Sequence, residues 1–267
     1  MHAKFNLERE IRNSLAFGST GAGFVSMHFH SQTELYIVRS GEVEIIVNGS
    51  RKILGAGEMS VALSYDAHSY KKLGDAKAYY LIIPTDYCGE FTRLLAGRRI
   101  ASPFIDDPAT VSTVTGAIEK LIAGCNELTQ RGLIYEILGA VLDKVQPNDR
   151  QPEPQHGFSP EILIYVSRHF REELTLADVS HAFGYNPSYL SRHFRETFGI
   201  SFVEYLTMIR LREAILLLGM GQKSITECAL ESGFGSMRSF YRAFRDEFGT
   251  SPSEYLKSAR NDKKHKI

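Results

Sequence analysis

The sequence predicts an α+β protein in two domains: an N-terminal β-barrel with accessory helices, then an all-α domain of seven helices built on a duplicated helix-turn-helix. Three observations carry this. Alternating apolar and polar residues with tight-turn signals run to about residue 85, helical periodicity takes over from Pro108, and a fifteen-residue segment near the C-terminal end recurs fifty positions later. The domains are expected at 1–145 and 158–267. Between them, residues 146–157 hold Pro147, Pro152 and Pro154 in a polar stretch without apolar period, which reads as a linker.

Composition bounds the function class. Hydrophobic residues make up 43% and charged residues 23% of the 267, as in ordinary globular chains. No apolar run approaches the roughly 20 residues that span a bilayer, and the first residues lack the apolar core of a signal peptide. A cytoplasmic protein without a membrane partner is therefore expected. Cys88, Cys125 and Cys228 stand far apart, which argues against a disulfide framework or a thiolate zinc site. The net charge is zero, yet residues 1–155 carry 16 Lys+Arg against 18 Asp+Glu, a net of −2, and residues 156–267 carry 15 against 13, a net of +2. That asymmetry is too weak to argue for a polyanionic partner, so the placement of the cations has to do so.

The barrel strands are expected near Phe24–Phe29, Leu35–Val38, Glu42–Val47, Ser50–Leu54, Met59–Leu63 and Tyr79–Ile83, with Asn48-Gly49 closing a hairpin. Asp107 and Pro108 supply an N-cap and a first-turn proline. Val111, Val114, Ile118, Leu121, Ile122 and Leu128 then follow 3.6-residue spacing, and a second helix covers about 133–145. This apolar stripe serves either a homodimer contact or the domain's own core.

Beyond the linker, helices are expected at 160–170, 176–183, 187–198, 202–218, 225–232, 236–248 and 252–260. Thr175/Asp178, Ser201/Glu204, Ser224/Glu227 and Ser251/Glu254 have the spacing of capping boxes, and Gly199 and Gly249 stand where left-handed caps end helices. Residues 192–206 (RHFRETFGISFVEYL) and 242–256 (RAFRDEFGTSPSEYL) agree at nine of fifteen positions. Each unit is a helix, a glycine-bearing turn and a second helix, the layout whose second helix enters the major groove. Leu190, Phe194 and Phe198, and again Phe240, Phe244 and Phe248, line one face at four-residue intervals and read as core. Opposite them lie Ser188, Ser191, Arg192 and Arg195 in the first unit. Met237, Arg238, Tyr241, Arg242 and Arg245 hold that place in the second. A solvated charged face explains either helix alone; duplication in register favours a groove-reading surface for double-stranded DNA. The helix at 202–218 is apolar through Phe202, Tyr205, Leu206, Ile209, Ala214, Leu217 and Leu218, and so is expected between the units. At about 1.5 Å per residue it spans roughly 25 Å, near the ~34 Å between successive major grooves.

Residues 158–260 resemble the DNA-binding domain of the AraC/XylS family, through 176–185 (LADVSHAFGY), 188–195 (SYLSRHFR), 210–214 (RLREA) and 225–256. The resemblance implies a non-enzymatic transcriptional regulator that also meets RNA polymerase. It implies base contacts for Ser188, Ser191, Arg192, Met237, Arg238, Tyr241 and Arg242, with Arg195 and Arg245 on phosphates. Met237 and Tyr241 are unusual base readers; they either touch a thymine methyl or pack.

In the N-terminal half, His28, His30, Glu34 and Gly41 resemble the first cupin motif (HxHxxxE, then glycine), and 57–62 (GEMSVA) with His68 the second. Residues two apart in a strand point the same way, so His28 and His30 can share a ligand with Glu34 and His68. Three readings stand. One is a metal-dependent cupin enzyme holding a divalent ion on these four; another is an effector pocket of His28, His30, Glu34, Tyr36, His68 and Tyr80 for a sugar or other polar metabolite; the last is a set of structural histidines. Arg39 and Tyr65 suit a polar pocket or ordinary barrel positions. No cofactor is expected, while a divalent metal among His28, His30, Glu34 and His68 stays open.

Overall fold

The computed structural model describes residues 3–20, 23–95, 102–144 and 160–264, which form two compact units meeting in sequence at about residue 160. The expected linker, 146–157, lies outside the described residues.

The first unit begins with β1 (Lys4–Phe5), α1 (Leu7–Arg12), β2 (Ala16–Ser19) and β3 (Phe24–Phe29). There follow β4 (Thr33–Val47), β5 (Ser50–Leu54), β6 (Met59–Ala62) and β7 (His68–Ile83). After these come α2 (Gly89–Leu94), β8 (Phe104–Ile105), α3 (Pro108–Ala123) and α4 (Glu127–Leu142). The sheet runs β1-β3-β7-β4-β6-β8, with β2 also on β7 and β5 also on β4. β4 and β7 pair antiparallel from Thr33↔Ile83 to Val47↔His68, with register shifts between Val38 and Glu42. Those bulges bend the pair. On one side of the bend β4 takes β6 as its other neighbour and β7 takes β2; on the other side the neighbours are β5 and β3. Gly41 sits in the bend with φ +72, and a Cβ there would lie 2.8 Å from the Ala76 Cα. The glycine lets the two backbones close.

Two expectations change here. The strands predicted at 35–38 and 42–47 are one strand, because a bulge rather than a turn separates them. The first half of β7 was absent from the prediction, since Lys71, Lys72, Asp75 and Lys77 around Gly74 hide its alternation.

The period of two sorts side chains to two cores. Tyr36, Val38, Val43, Ile45, Val47, Leu54, Tyr70 and Ala78 cluster on one face of the sheet. Leu35, Ile37, Met59, Val61, Leu81 and Ile83 face the other way and bury α3 and α4 through Val114, Ile118, Leu121, Ile134, Ile137 and Val141. Asp107 caps α3 by accepting from the Thr110 N–H, with Pro108 in its first turn. That helix stops at Ala123, before Gly124 at φ +91. Asn126 then caps α4 by accepting from the Thr129 N–H, so α4 starts six residues ahead of the predicted 133. Leu128 thus belongs to the first turn of α4, where it is 82% exposed. Of the predicted stripe, Val111, Val114, Ile118 and Leu121 are internal core, while Ile122 joins Leu128 at the surface.

The second unit is helical throughout: α5 (Pro160–His169), α6 (Leu176–Phe183), α7 (Pro187–Phe198), α8 (Phe202–Met220), α9 (Ile225–Glu231), α10 (Met237–Phe248) and α11 (Pro252–Lys264). All seven fall near their predicted positions because their caps are written locally. Thr175/Asp178, Ser201/Glu204 and Ser224/Glu227 make both capping-box bonds. Ser251 and Glu254 exchange the same pair. Gly199 and Gly249 close α7 and α10 at φ +69 and +67. Removing one such cap has a bounded cost: Ser224→Ala is expected to destabilise the unit by about 1 kcal/mol. That lowers its thermal midpoint by about 4–8 °C for a domain of this size, read by calorimetry.

α8 buries Phe202, Tyr205, Leu206, Ile209, Leu211, Ala214, Ile215 and Leu218 against α7, α9 and α10. Leu217, expected in that set, is only half-buried. Arg210 on α8 donates from Nε to the Phe170 carbonyl and from Nη2 to the Glu172 carbonyl, both at 2.8 Å. The guanidinium thereby ties α8 to the chain just beyond α5.

Candidate nucleic-acid interface and candidate metal centre

The two motifs are built alike. Gly184 (φ +69) and Gly233 (φ +84) turn the chain between their helices. The bonds Tyr185 N–H to Ser180 O and Phe234 N–H to Ala229 O fix the turns in matching geometry. Asn186 and Ser236 then cap α7 and α10. Leu190, Phe194 and Phe198 are buried under α7, and Phe240 and Phe244 under α10. Phe248, predicted as core, is half-buried; its ring packs on Phe244 and Tyr255 at 4.7 and 5.3 Å.

The opposite faces stay open. Ser188, Ser191, Arg192 and Arg195 are exposed on α7, and with Leu176 and Pro187 they line a shallow groove at its outer face. Arg238, Tyr241, Arg242 and Arg245 are exposed on α10, while Met237 is half-buried. Arg195 lies in the field of Glu204 and Arg245 in that of Glu254, another feature repeated fifty residues apart. The nine residues singled out in the sequence thus fall on two corresponding helix faces carrying five arginines, a surface suited to base edges and phosphates.

In the first unit, β3 carries His28, the loop after it His30, the start of β4 Glu34, and the start of β7 His68. All four are buried, and one ligand atom from each falls within 4.8 Å of the others. Each histidine sets Nδ1 on a backbone carbonyl: His28 on Ser26 at 2.9 Å, His30 on Gln32 at 3.2 Å and His68 on Asp66 at 2.8 Å. A carbonyl only accepts, so Nδ1 carries the proton and Nε2 is left as the ligand atom. The His30 and His68 Nε2 atoms lie 3.1 and 3.4 Å from the same Glu34 oxygen, and the buried His68 Nε2 makes no hydrogen bond. Electron pairs facing a carboxylate need a positive charge between them, either a proton or a metal ion.

The electrostatics agree. Burial would raise the Glu34 pKa, but the His30 and His68 imidazoles that face the carboxyl overcome it and hold it well below its usual range. Burial opposes charge on His68 too, yet Glu34 raises its pKa. Burial and the neighbouring His68 push His28 down to about 4. Three imidazoles locked at Nδ1 and one ionised carboxylate suit a divalent transition metal.

Tyr36 also lies inside, 3% exposed and stacked on Tyr70 at 4.2 Å, its hydroxyl 3.4 Å from Thr20 Oγ1; Tyr80 is half-buried nearby. Tyr65 is buried in the loop before His68 at φ +67. Arg39 is outside the cluster: it is exposed, pairs with Glu119 at 2.7 Å and lies over the Tyr79 ring. Sequence reasoning missed Glu10. Its buried carboxylate reaches Ser31, beside His30. A six-residue helix has no period to expose, and a contact across 21 positions has no local signal.

Comparison with known proteins finds one known domain in each unit. Residues 179–258 match a helix-turn-helix domain and residues 19–84 a cupin domain. An HTH-type transcriptional regulator of Staphylococcus aureus is 35% identical over 132 residues, 49% of this chain and 18% of that protein. The chain thus spans about a fifth of the length of the first curated relatives it matches. The melibiose operon regulatory protein of Escherichia coli is 20% identical over 251 residues, covering 86% of this chain and 83% of its own. Among solved structures, ToxT from Vibrio cholerae with bound unsaturated fatty acid aligns at a TM-score of 0.49 and 18% identity, over 91% of this chain and 94% of that one. No helix among the described residues is long and apolar enough to cross a membrane.

Proposed function

We propose that this chain, in which a cupin domain precedes a helix-turn-helix domain, is a cytoplasmic, sequence-specific transcriptional regulator of the AraC/XylS type whose barrel receives a small-molecule effector. The observation that carries the DNA half is the duplicated face, with Arg192 and Arg195 on α7 and Arg238, Arg242 and Arg245 on α10. Arginine at these positions meets guanine O6/N7 through its two-pronged guanidinium or holds a phosphate.

For the sensor half, His28, His30, Glu34 and His68 would hold a divalent ion. Such an ion supplies a Lewis-acidic point to which an oxygen-bearing ligand attaches. Tyr36 and Tyr80 lie in the same barrel core, where their hydroxyls suit a polar metabolite. One relative's name ties it to a sugar operon, which makes polyhydroxylated compounds the first effectors to try. The exposed Ile122, Leu128 and Tyr135 on α3 and α4 leave apolar surface for a second copy, and contact with RNA polymerase belongs to the same reading.

Regulation by occupancy requires linkage. Barrel ligand and DNA must alter each other's affinity by one common factor. The test is titration of a bound DNA site at fixed salt by the full chain, with added Zn2+ and then with chelator. A change of about 5- to 150-fold is expected, the range of ordinary allosteric coupling. Equal affinity in both conditions would overturn the metal-linked form of the proposal.

A further inference from the structure

We infer that Glu10 is a positioning residue for the metal centre, holding the loop that carries His30 and leads into Glu34 at the start of β4. The inference rests on the reading of that cluster as a metal site. Glu10 is fully buried on α1, and its two carboxylate oxygens accept from one residue, taking the Ser31 N–H and the Ser31 hydroxyl, the latter at 2.9 Å. Ser31 stands between His30 and Gln32, and the Gln32 carbonyl is the acceptor that orients the His30 ring. The Gln32 amide donates in turn to Asn13 Oδ1 at 3.2 Å, just past α1.

The same N-terminal segment grips the residues before the loop. β1 lies parallel to β3 with Lys4 opposite His28 and Phe5 opposite Phe29, and the Asn6 N–H donates to the Phe29 carbonyl at 3.0 Å. His28, Phe29, Ser31 and Gln32, the residues on either side of His30, are therefore registered against residues 4–13. A carboxylate is a costly way to satisfy a loop, because burying it forfeits its hydration. What it adds is direction: two bonds to one residue fix the orientation of the peptide that carries His30 and enters β4. Outer contacts of this kind tune metal affinity by about 10- to 100-fold.

The experiment is a Co2+ titration of the full chain, followed by its ligand-field absorption and by competition with a chelator of known affinity. Glu10→Ala is expected to weaken Co2+ binding about tenfold and to alter the absorption band as one ligand leaves its place. Glu10→Gln, whose amide oxygen can still accept from the Ser31 N–H, should recover most of the affinity. Where Glu10→Ala does not fold, Ser31→Ala removes only the hydroxyl bond and is expected to give a smaller loss in the same direction. Glu10→Ala with the wild-type affinity and band would overturn the positioning role while leaving the metal site standing. Absence of Co2+ binding by the wild-type chain would overturn the metal reading itself, and this inference with it.

Discussion

Gly233→Ala is expected to destabilise the helical unit by about 2–5 kcal/mol, whereas Gly184→Ala, at the matching turn, should cost only about 1–2. Both glycines sit at positive φ, where an L side chain loses about 1–2 kcal/mol. The difference lies in the surroundings. A Cβ at Gly184 meets nothing within 4 Å, while one at Gly233 would lie 2.6 Å from the Phe170 carbonyl oxygen and 2.8 Å from the Arg171 Cα. Those atoms are backbone, and the Arg210 Nε that donates to the Phe170 carbonyl would itself lie 3.0 Å from the added Cβ. Relief must come from moving α5 or opening the turn, which adds roughly the 1–3 kcal/mol of an overpacked core. Total stability for a domain of this size is only about 5–15 kcal/mol. Chemical denaturation of the two variants should therefore separate them clearly, with Gly233→Ala also losing DNA affinity at 25 °C. Equal costs would mean that the turn of the second motif does not approach Phe170 and Arg171 this closely.

The second large effect belongs to the double variant Arg192→Ala, Arg242→Ala. Each arginine is expected to contribute about 1–3 kcal/mol at its preferred base pair. They stand on different helices, so the losses should nearly add. Affinity for a selected site should fall by about 2–6 kcal/mol, with sequence preference relaxed at two separate positions. Arg195→Ala gives the contrast: weaker binding to all sequences alike and a salt slope reduced by about one unit. Titrations of matched and mismatched duplexes at several salt concentrations distinguish the two classes. An Arg195-like, sequence-blind loss from the double variant would move Arg192 and Arg242 to the phosphate backbone.

How far the molecule could be read from its sequence depended on the range of the forces involved. The helical unit was legible because its signals are local. A capping box spans four residues, an αL glycine one, and the Leu190-Phe194-Phe198 face three turns. Repetition of the whole pattern fifty residues later is what made an ordinary charged face a candidate for groove reading. The barrel was legible at its histidines, at the Asn48-Gly49 hairpin and in short strands such as 24–29 and 50–54, but not in its two long strands. Where β4 bends at Gly41, the sequence reads as two strands, since nothing local marks a bulge that Ala76 enforces from across the sheet. The charged first half of β7 belongs to the sheet because β3 and β4 flank it, which no alternation in 68–78 announces. Arg39, a polar residue in the right strand, left the pocket because the bend aims it at Glu119. Glu10 escaped notice for the same reason: its meaning lies in Ser31, far along the chain.

Selective capture tests the central claim most directly. The purified full chain is mixed with fragmented genomic DNA at low and moderate salt, and the retained fragments are sequenced. The account predicts enrichment of a shared site with two recognition elements about one helical turn apart, surviving the higher salt while non-specific fragments wash away. Retention that shows no shared sequence, and vanishes at the higher salt, would contradict it and leave the cupin barrel as the working part of the protein.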